Sequence, residues 1–227
     1  MRAFRTIVII ITFLVWMIGC SKKSEVKYAY IIAEGLWAVQ TESDLANSVH
    51  DVARKRRFNF GEKIKILGTV KGREPRTEEM VDYFRSEFDN QIYYIRSSQV
   101  SERVFVIDRR TVCFQNPDAD SPSVSIIPPG IAAVFIEESN GFIKVKVRDF
   151  KVDDTNKVEF IGDVWIPKEE YSSDSQVLRE SFFYYYLRYY TIVEKDRNQA
   201  EFFRQQGLEV SKQSKKETFL TKLFNEI

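Results

Sequence analysis

The sequence predicts a mainly β protein that closes with a helical segment. Apolar and polar residues alternate in Ile64-Lys65-Ile66-Leu67, Ile92-Tyr93-Tyr94-Ile95-Arg96 and Phe142-Ile143-Lys144-Val145-Lys146-Val147. A period of two puts successive side chains on opposite faces of a strand. The stretch from about residue 28 to 171 also divides into two halves of similar pattern. After Tyr171 apolar residues recur instead at three- and four-residue steps, the spacing of a helix face.

The chain begins with Arg2 and Arg5, followed by the apolar run Ile7–Ile18 and then Gly19-Cys20 and Ser21-Lys22-Lys23-Ser24. A basic region, a short apolar core and a small residue before the cut describe a secretory signal. The run falls short of the roughly 20 residues that span a bilayer. Met17-Ile18-Gly19-Cys20 resembles the lipobox of bacterial lipoproteins, with Met17 where leucine is commonest. The resemblance implies a signal peptide over residues 1–19, a diacylglyceryl-modified Cys20 as first mature residue, and a tether over 20–27. It implies a protein held to the cell membrane through Cys20, facing the periplasm or the cell surface. An uncleaved single-pass anchor is the other reading. With Cys20 acylated, Cys113 has no partner for a disulfide.

The first half covers residues 28–102 and opens on Leu36-Trp37-Ala38-Val39; Phe60-Gly61 then feeds a strand. Met80, Tyr83, Phe84 and Phe88 fall at helical spacing, so a helical insertion is expected over about residues 73–90. The second half, 103–173, opens on Thr111-Val112-Cys113-Phe114, and Pro129-Gly130 repeats the glycine turn. Gly61 precedes Tyr94 by 33 residues and Gly130 precedes Trp165 by 35. Gly130 with Val134, Phe142-Ile143-Lys144-Val145 and Gly162-Asp163-Val164-Trp165-Ile166 resemble bacterial SH3 (SH3b-like) domains. Phe60-Gly61 and Tyr94-Ile95 resemble them in the first half, where Gly72–Asn90 displaces the middle of the motif. The resemblance covers about 140 residues and implies two small SH3-like barrels, 28–102 and 103–173.

Residues 174–227 form the helical segment. Asp174 is placed to cap a helix carrying Leu178, Phe182, Tyr186, Tyr189, Val193, Ala200 and Phe203, with Gly207 as its stop. A second helix is expected over Glu209–Phe224. The run from Phe182 to Tyr190 is apolar around most of a helix, so more than one face must be covered. It has three readings: a brace packed on the barrels, a partner-binding surface presenting Phe182, Phe183, Tyr186 and Tyr190, or a contact with the membrane surface.

Composition narrows the chemistry. One His and two Cys leave no ligand set for a multi-histidine or multi-cysteine centre. Cys113, between Val112 and Phe114, reads as a small buried hydrophobe, and His50 lies in a polar loop. Glu78-Glu79, Glu137-Glu138, Asp153-Asp154 and Glu169-Glu170 read as solvated surface, and Asp118-Ala119-Asp120 is too short for a calcium loop. With no nucleophile elbow and no glycine-rich phosphate loop, the expectation is a protein that is not an enzyme and uses no cofactor or metal. A net charge of +1 gives no bulk field for nucleic acid. Arg54-Lys55-Arg56-Arg57 is the strongest charge run, either a solvated loop or a contact for an anionic polymer or a lipid headgroup.

The resemblance implies recognition of cell-wall peptide, that is peptidoglycan, or of a protein segment, in an aromatic groove beside a barrel. The candidate ligand-binding residues are Trp37, Tyr93, Tyr94, Phe142 and Trp165, with Arg54, Arg56 and Arg57 as anionic contacts. The competing class is an assembly lipoprotein that docks another envelope protein through its aromatic carboxy-terminal helix.

Overall fold

The computed structural model describes residues 26–47, 56–74, 77, 79–152 and 158–226. Cys20, His50 and Arg54 lie outside them. The chain before the carboxy-terminal helices is built from two β units with the same pairing pattern.

The first unit contains β1 (Lys27–Ile31), β2 (Leu36–Ala38), the short helix α1 (Glu42–Asn47), β3 (Arg56–Phe58), β4 (Lys63–Arg73), β5 (Met80–Phe88), β6 (Gln91–Arg96) and β7 (Val100–Ser101). The second contains β8 (Val104–Ile107), β9 (Thr111–Phe114), β10 (Ser123–Ile127), β11 (Ile131–Ser139), β12 (Phe142–Val152) and β13 (Val158–Pro167). In the first, β1 pairs β4, β4 pairs β5, β5 pairs β6, and β2 pairs β3 and touches β6 through the bridge Val39–Tyr94. In the second, β8 pairs β11, β11 pairs β12, β12 pairs β13, and β9 pairs both β10 and β13. Every one of these pairs is antiparallel. The bridge Val39–Tyr94 thus has its equivalent in Phe114–Trp165.

The bulges repeat as well. The register slips between Ile66 and Gly68 in one unit and between Phe135 and Glu137 in the other. The extra residues, Leu67 and Ile136, are both exposed, as expected where a bulge leaves one residue unpaired. β7 adds to the free edge of β1, and Ser172 bridges to Val106 on the corresponding edge of β8. Among the described residues neither ladder pairs its two outer strands. The sheets are therefore open and neither closes into a barrel, where the sequence led us to expect two small SH3-like barrels.

The expected helical insertion is also corrected. Met80–Phe88 is β5, paired on both sides by β4 and β6. Tyr83 and Phe84, neighbours on an imagined helix, point to opposite faces of a strand: Tyr83 is buried against Leu45 and Tyr94, while Phe84 looks toward the second unit. Aromatic content and two waiting ladders outweigh a helical spacing that was coincidental.

The core of the first sheet gathers Ala29, Ile31, Phe58, Ile64 and Ile95. The larger core belongs to the second unit and the helices, and takes in Phe60 from the first. β8 is buried along its whole length. α2 (Ser175–Tyr189) is capped by Asp174, whose carboxylate accepts from the N–H groups of Gln176 and Val177 at 2.8 and 3.3 Å. A π-helical turn, Tyr190–Glu194, follows, and the chain breaks at Lys195 (φ 54°) before Asp196 caps α3 (Arg197–Ser214). α4 (Phe219–Glu226) completes the segment.

Gly207 does not stop a helix. It sits within α3, where its bare Cα lets the Phe224 ring approach; an added Cβ would lie 2.2 Å from Phe224 Cζ. The expected helix over Glu209–Phe224 is interrupted at Lys215, in left-handed conformation. Buried Glu180 ties the three helices together by accepting from Gln176 Nε2 (2.7 Å), Ser211 Oγ (2.9 Å) and Thr218 Oγ1.

α2 packs on both β units. Phe182 stacks on Phe60 at 6.2 Å, and Arg179 reaches Glu34 at 2.6 Å. Phe182 and Phe183 are therefore buried, which withdraws them as partner-binding residues. The brace describes this helix because an all-round apolar surface was covered from several sides.

Candidate functional site

The junction between the β units carries a cleft of about 460 Å³ lined by Tyr30 of β1, Glu102 and Arg103 of the connector, Phe105 of β8, Ile143 of β12, and Lys168, Glu169, Glu170, Tyr171 and Ser173. Its position follows from the repeat: Ser101–Arg103 carries the chain from the closing strand of one unit to the opening strand of the next. Phe105, only 7% exposed, stacks behind half-buried Tyr171 at 4.9 Å with their planes 12° apart, so Tyr171 gives the cleft its aromatic face and Phe105 holds that face rigid. The Tyr171 hydroxyl donates to the Pro167 carbonyl at 3.1 Å, and burial pushes its pKa up to about 12. That hydroxyl stays neutral at physiological pH.

Charge on the rim is of both signs and mostly neutralised. Glu102 pairs with Lys27, Lys168 with Glu138, and Glu169 with Arg109 at 3.0 Å. Arg103 faces a second cleft of about 360 Å³ as well, bounded by Phe84, Ser97, Val100, Ser101 and Phe135. Its guanidinium lies 3.5 Å above the Phe135 ring.

Among the described residues, none of those that the sequence singled out for ligand binding lines either cleft. Tyr93 and Tyr94 are buried: Tyr93 meets Phe58 edge-on at 5.2 Å and donates to Gln91 at 2.8 Å, while Tyr94 packs with Val39, Leu45 and Tyr83. They fill the core because both flank the β2–β6 contact. Arg56 is engaged by Glu62 (3.3 Å) and Asp89 (3.4 Å) and lies 4.0 Å over Phe88. Trp37 is 54% exposed, opposite Arg57 across the β2–β3 ribbon. Phe142 and Trp165 do come together. Trp165 stands between Phe114 and Lys144 on neighbouring strands, and Phe142 meets Phe114 at 5.6 Å. Trp165 is only 9% exposed, so this cluster supports the sheet more than it offers a contact face.

The cleft residues escaped the sequence reading because Tyr30, Phe105 and Tyr171 lie far apart in the chain. The available signal was the repeat itself, whose boundary at Glu102-Arg103 marks where two units must meet. On the helices, Tyr186, Tyr190 and Phe203 form a stack at 4.9–6.5 Å, with Phe202 beside it 53% exposed.

Elsewhere the titratable groups do structural work. Cys113 is fully buried and its pKa is pushed up to about 12 by desolvation, so its thiol is not a ready nucleophile. Asp149, also buried, is raised by desolvation and held against this by Arg188, whose Nη1 donates at 2.6 Å. Among the described residues no group of three or more His, Cys, Asp or Glu could hold a metal ion, and no helix is long and apolar enough to cross a membrane.

No protein-family model matches the chain, and no curated protein is significantly similar to it. Among solved structures, NlpC2 from Trichomonas vaginalis is similar at 10% identity with a TM-score of 0.22, covering 66% of this chain. The chain spans about half the length of that structure, 50% of it being covered. A TM-score at that level supports no reading of fold or activity.

Proposed function

We propose that this chain is a non-catalytic, lipid-anchored protein of the cell envelope that binds a short extended peptide in the cleft between its β units, with cell-wall peptide as the expected source. The lipid anchor rests on the Gly19-Cys20 motif, and the wall ligand on the resemblance to bacterial SH3 domains. The observation that carries the site is the cleft itself: a stacked aromatic wall, Phe105–Tyr171, beside a rim bearing both signs of charge. Aromatic walls give rigid contact area to an extended peptide, and rim charges fix its direction. α2 packs on both units and so keeps the cleft pre-formed, which lowers the ordering cost of binding.

The second reading is an assembly lipoprotein. It is favoured by the exposed Phe202 beside the Tyr186–Tyr190–Phe203 stack, a surface suited to another envelope protein.

One experiment separates them. Detergent-solubilised full-length protein is sedimented with purified cell-wall sacculi, alongside Tyr30→Ala in the cleft and Phe202→Ala on the helices. Saturable binding lost in Tyr30→Ala and kept in Phe202→Ala supports wall recognition in the cleft. No binding at on the order of tens of micromolar, an affinity easily reached by a pre-formed site, overturns the wall reading.

A further inference from the structure

Resting on the reading that the cleft is the binding site, we infer that it is a receptor for a free peptide carboxylate, anchored on Arg103, with the ligand's ammonium directed to Glu170. The chain's other charges at this place are already spent. Glu102, Lys168 and Glu169 each have an ion-pair partner: Lys27, Glu138 and Arg109. Among the described residues Arg103 and Glu170 have none. Both are exposed, and both line the cleft.

Arg103 is held in a form that suits this role. Its guanidinium lies 3.5 Å above the Phe135 ring, so the plane is fixed by stacking while the N–H edge remains available. It also borders the second cleft, so the ligand's end can be seated where the two clefts meet. A planar carboxylate accepts two parallel N–H bonds from such an edge. A phosphate group fits less well, because the cleft is lined by three acids, Glu102, Glu169 and Glu170, and by a single cation without an ion-pair partner among the described residues. Glu170, the acid of the three without an ion-pair partner among those residues, favours the ligand's ammonium. The aromatic wall in the same cleft suits the side chains and backbone of a peptide more than a free ion.

The probe is the tripeptide L-Lys-D-Ala-D-Ala, which has one carboxylate, compared with its carboxy-terminal amide by titration calorimetry on the full-length protein. The acid form should bind about 10- to 100-fold more tightly than the amide, the range of a charge-assisted bidentate contact. Arg103→Ala should abolish that difference and Arg103→Lys should restore part of it, while Glu170→Gln weakens both forms alike. The Arg103 carbonyl accepts from the Phe135 N–H at 3.0 Å, and this backbone bond is kept in the variants, so the fold should be unchanged by circular dichroism. Equal binding of acid and amide, discrimination that survives Arg103→Ala, or no binding of the tripeptide overturns the assignment. Sacculi that bind wild type and Arg103→Ala equally but not Tyr30→Ala would leave the cleft as the site and remove only its carboxylate anchor. Sacculi that bind none of them would instead remove the reading on which it rests.

Discussion

Gly61 and Gly130 hold the same place in the two β units, and both are pressed against the carboxy-terminal helices. Each has positive φ, 84° and 93°. Each donates its N–H to the last residue of the unit's opening strand, Ile31 at 2.9 Å and Ile107 at 2.7 Å. A Cβ on Gly61 would lie 2.8 Å from Leu178 Cβ; one on Gly130 would lie 2.7 Å from Tyr184 Cδ1 and 2.8 Å from Leu220 Cδ2. Leu178 and Tyr184 belong to α2, so one helix reads both glycines and thereby sets how the units meet at the cleft.

Alanine at either glycine should therefore carry two costs, backbone strain and overlap with the helix. Gly61→Ala and Gly130→Ala are each expected to destabilise the protein by about 2–4 kcal/mol in urea unfolding. Gly141 supplies the control, with φ 78° and open space where a Cβ would stand. Gly141→Ala should cost only about 1 kcal/mol, from strain alone. Equal losses at all three would show that the helix contact adds nothing.

Cys113 should be chemically silent in the folded protein. In a Cys20→Ser background, a thiol-reactive disulfide reagent at pH 8 should label Cys113 only after denaturation. Burial raises the thiol pKa from 9.0 to about 12, so the fold holds the proton more tightly than the unfolded chain. The stabilisation this gives is complete below pH 9.0 and is lost as pH rises through about 12. Rapid labelling of the native protein would contradict this burial.

Arg188 and Asp149 should be linked through pH. Arg188→Met leaves a carboxylate that is 1% exposed without its cation, and should cost about 3–5 kcal/mol at neutral pH. Asp149 already has a raised pKa, and losing Arg188 raises it further. A raised carboxyl favours the fold below its unfolded pKa and loses that contribution as pH rises through the folded value. Acidifying Arg188→Met from pH 7 toward pH 4 should accordingly recover stability relative to wild type. The thermal midpoint measured across that range checks it, and parallel curves for the two proteins would rule out the coupling.

Local rules recovered much of the chain. Alternation at Phe142–Val147 and Ile92–Arg96 marked real strands, because a half-buried strand shows its pleat in the sequence. Asp174 was legible as a helix cap because a cap bonds only to its near neighbours. The rule failed where a residue's surroundings come from distant chain. Helical spacing at Met80–Phe88 gave way to pairing on both sides, and Gly207, with the look of a stop, makes room for Phe224 instead.

The site divides in the same way. The repeat from Gly61 to Tyr94 and from Gly130 to Trp165 was visible in the sequence, while the pairing pattern shared by the two units came from the structure. Which aromatics would be open was not visible, since Tyr93 and Tyr94 differ from Trp37 only in what folds over them. By itself the sequence determined the strands at Ile92–Arg96 and Phe142–Val147, the capped start of α2 and the repeat, because these depend on periodicity and on contacts between near neighbours. Only the tertiary structure decided that the sheets stay open, that α2 braces both units, and that Tyr30, Arg103, Phe105 and Tyr171 share one cleft. Those outcomes depend on packing between segments far apart in the chain, which no local pattern encodes.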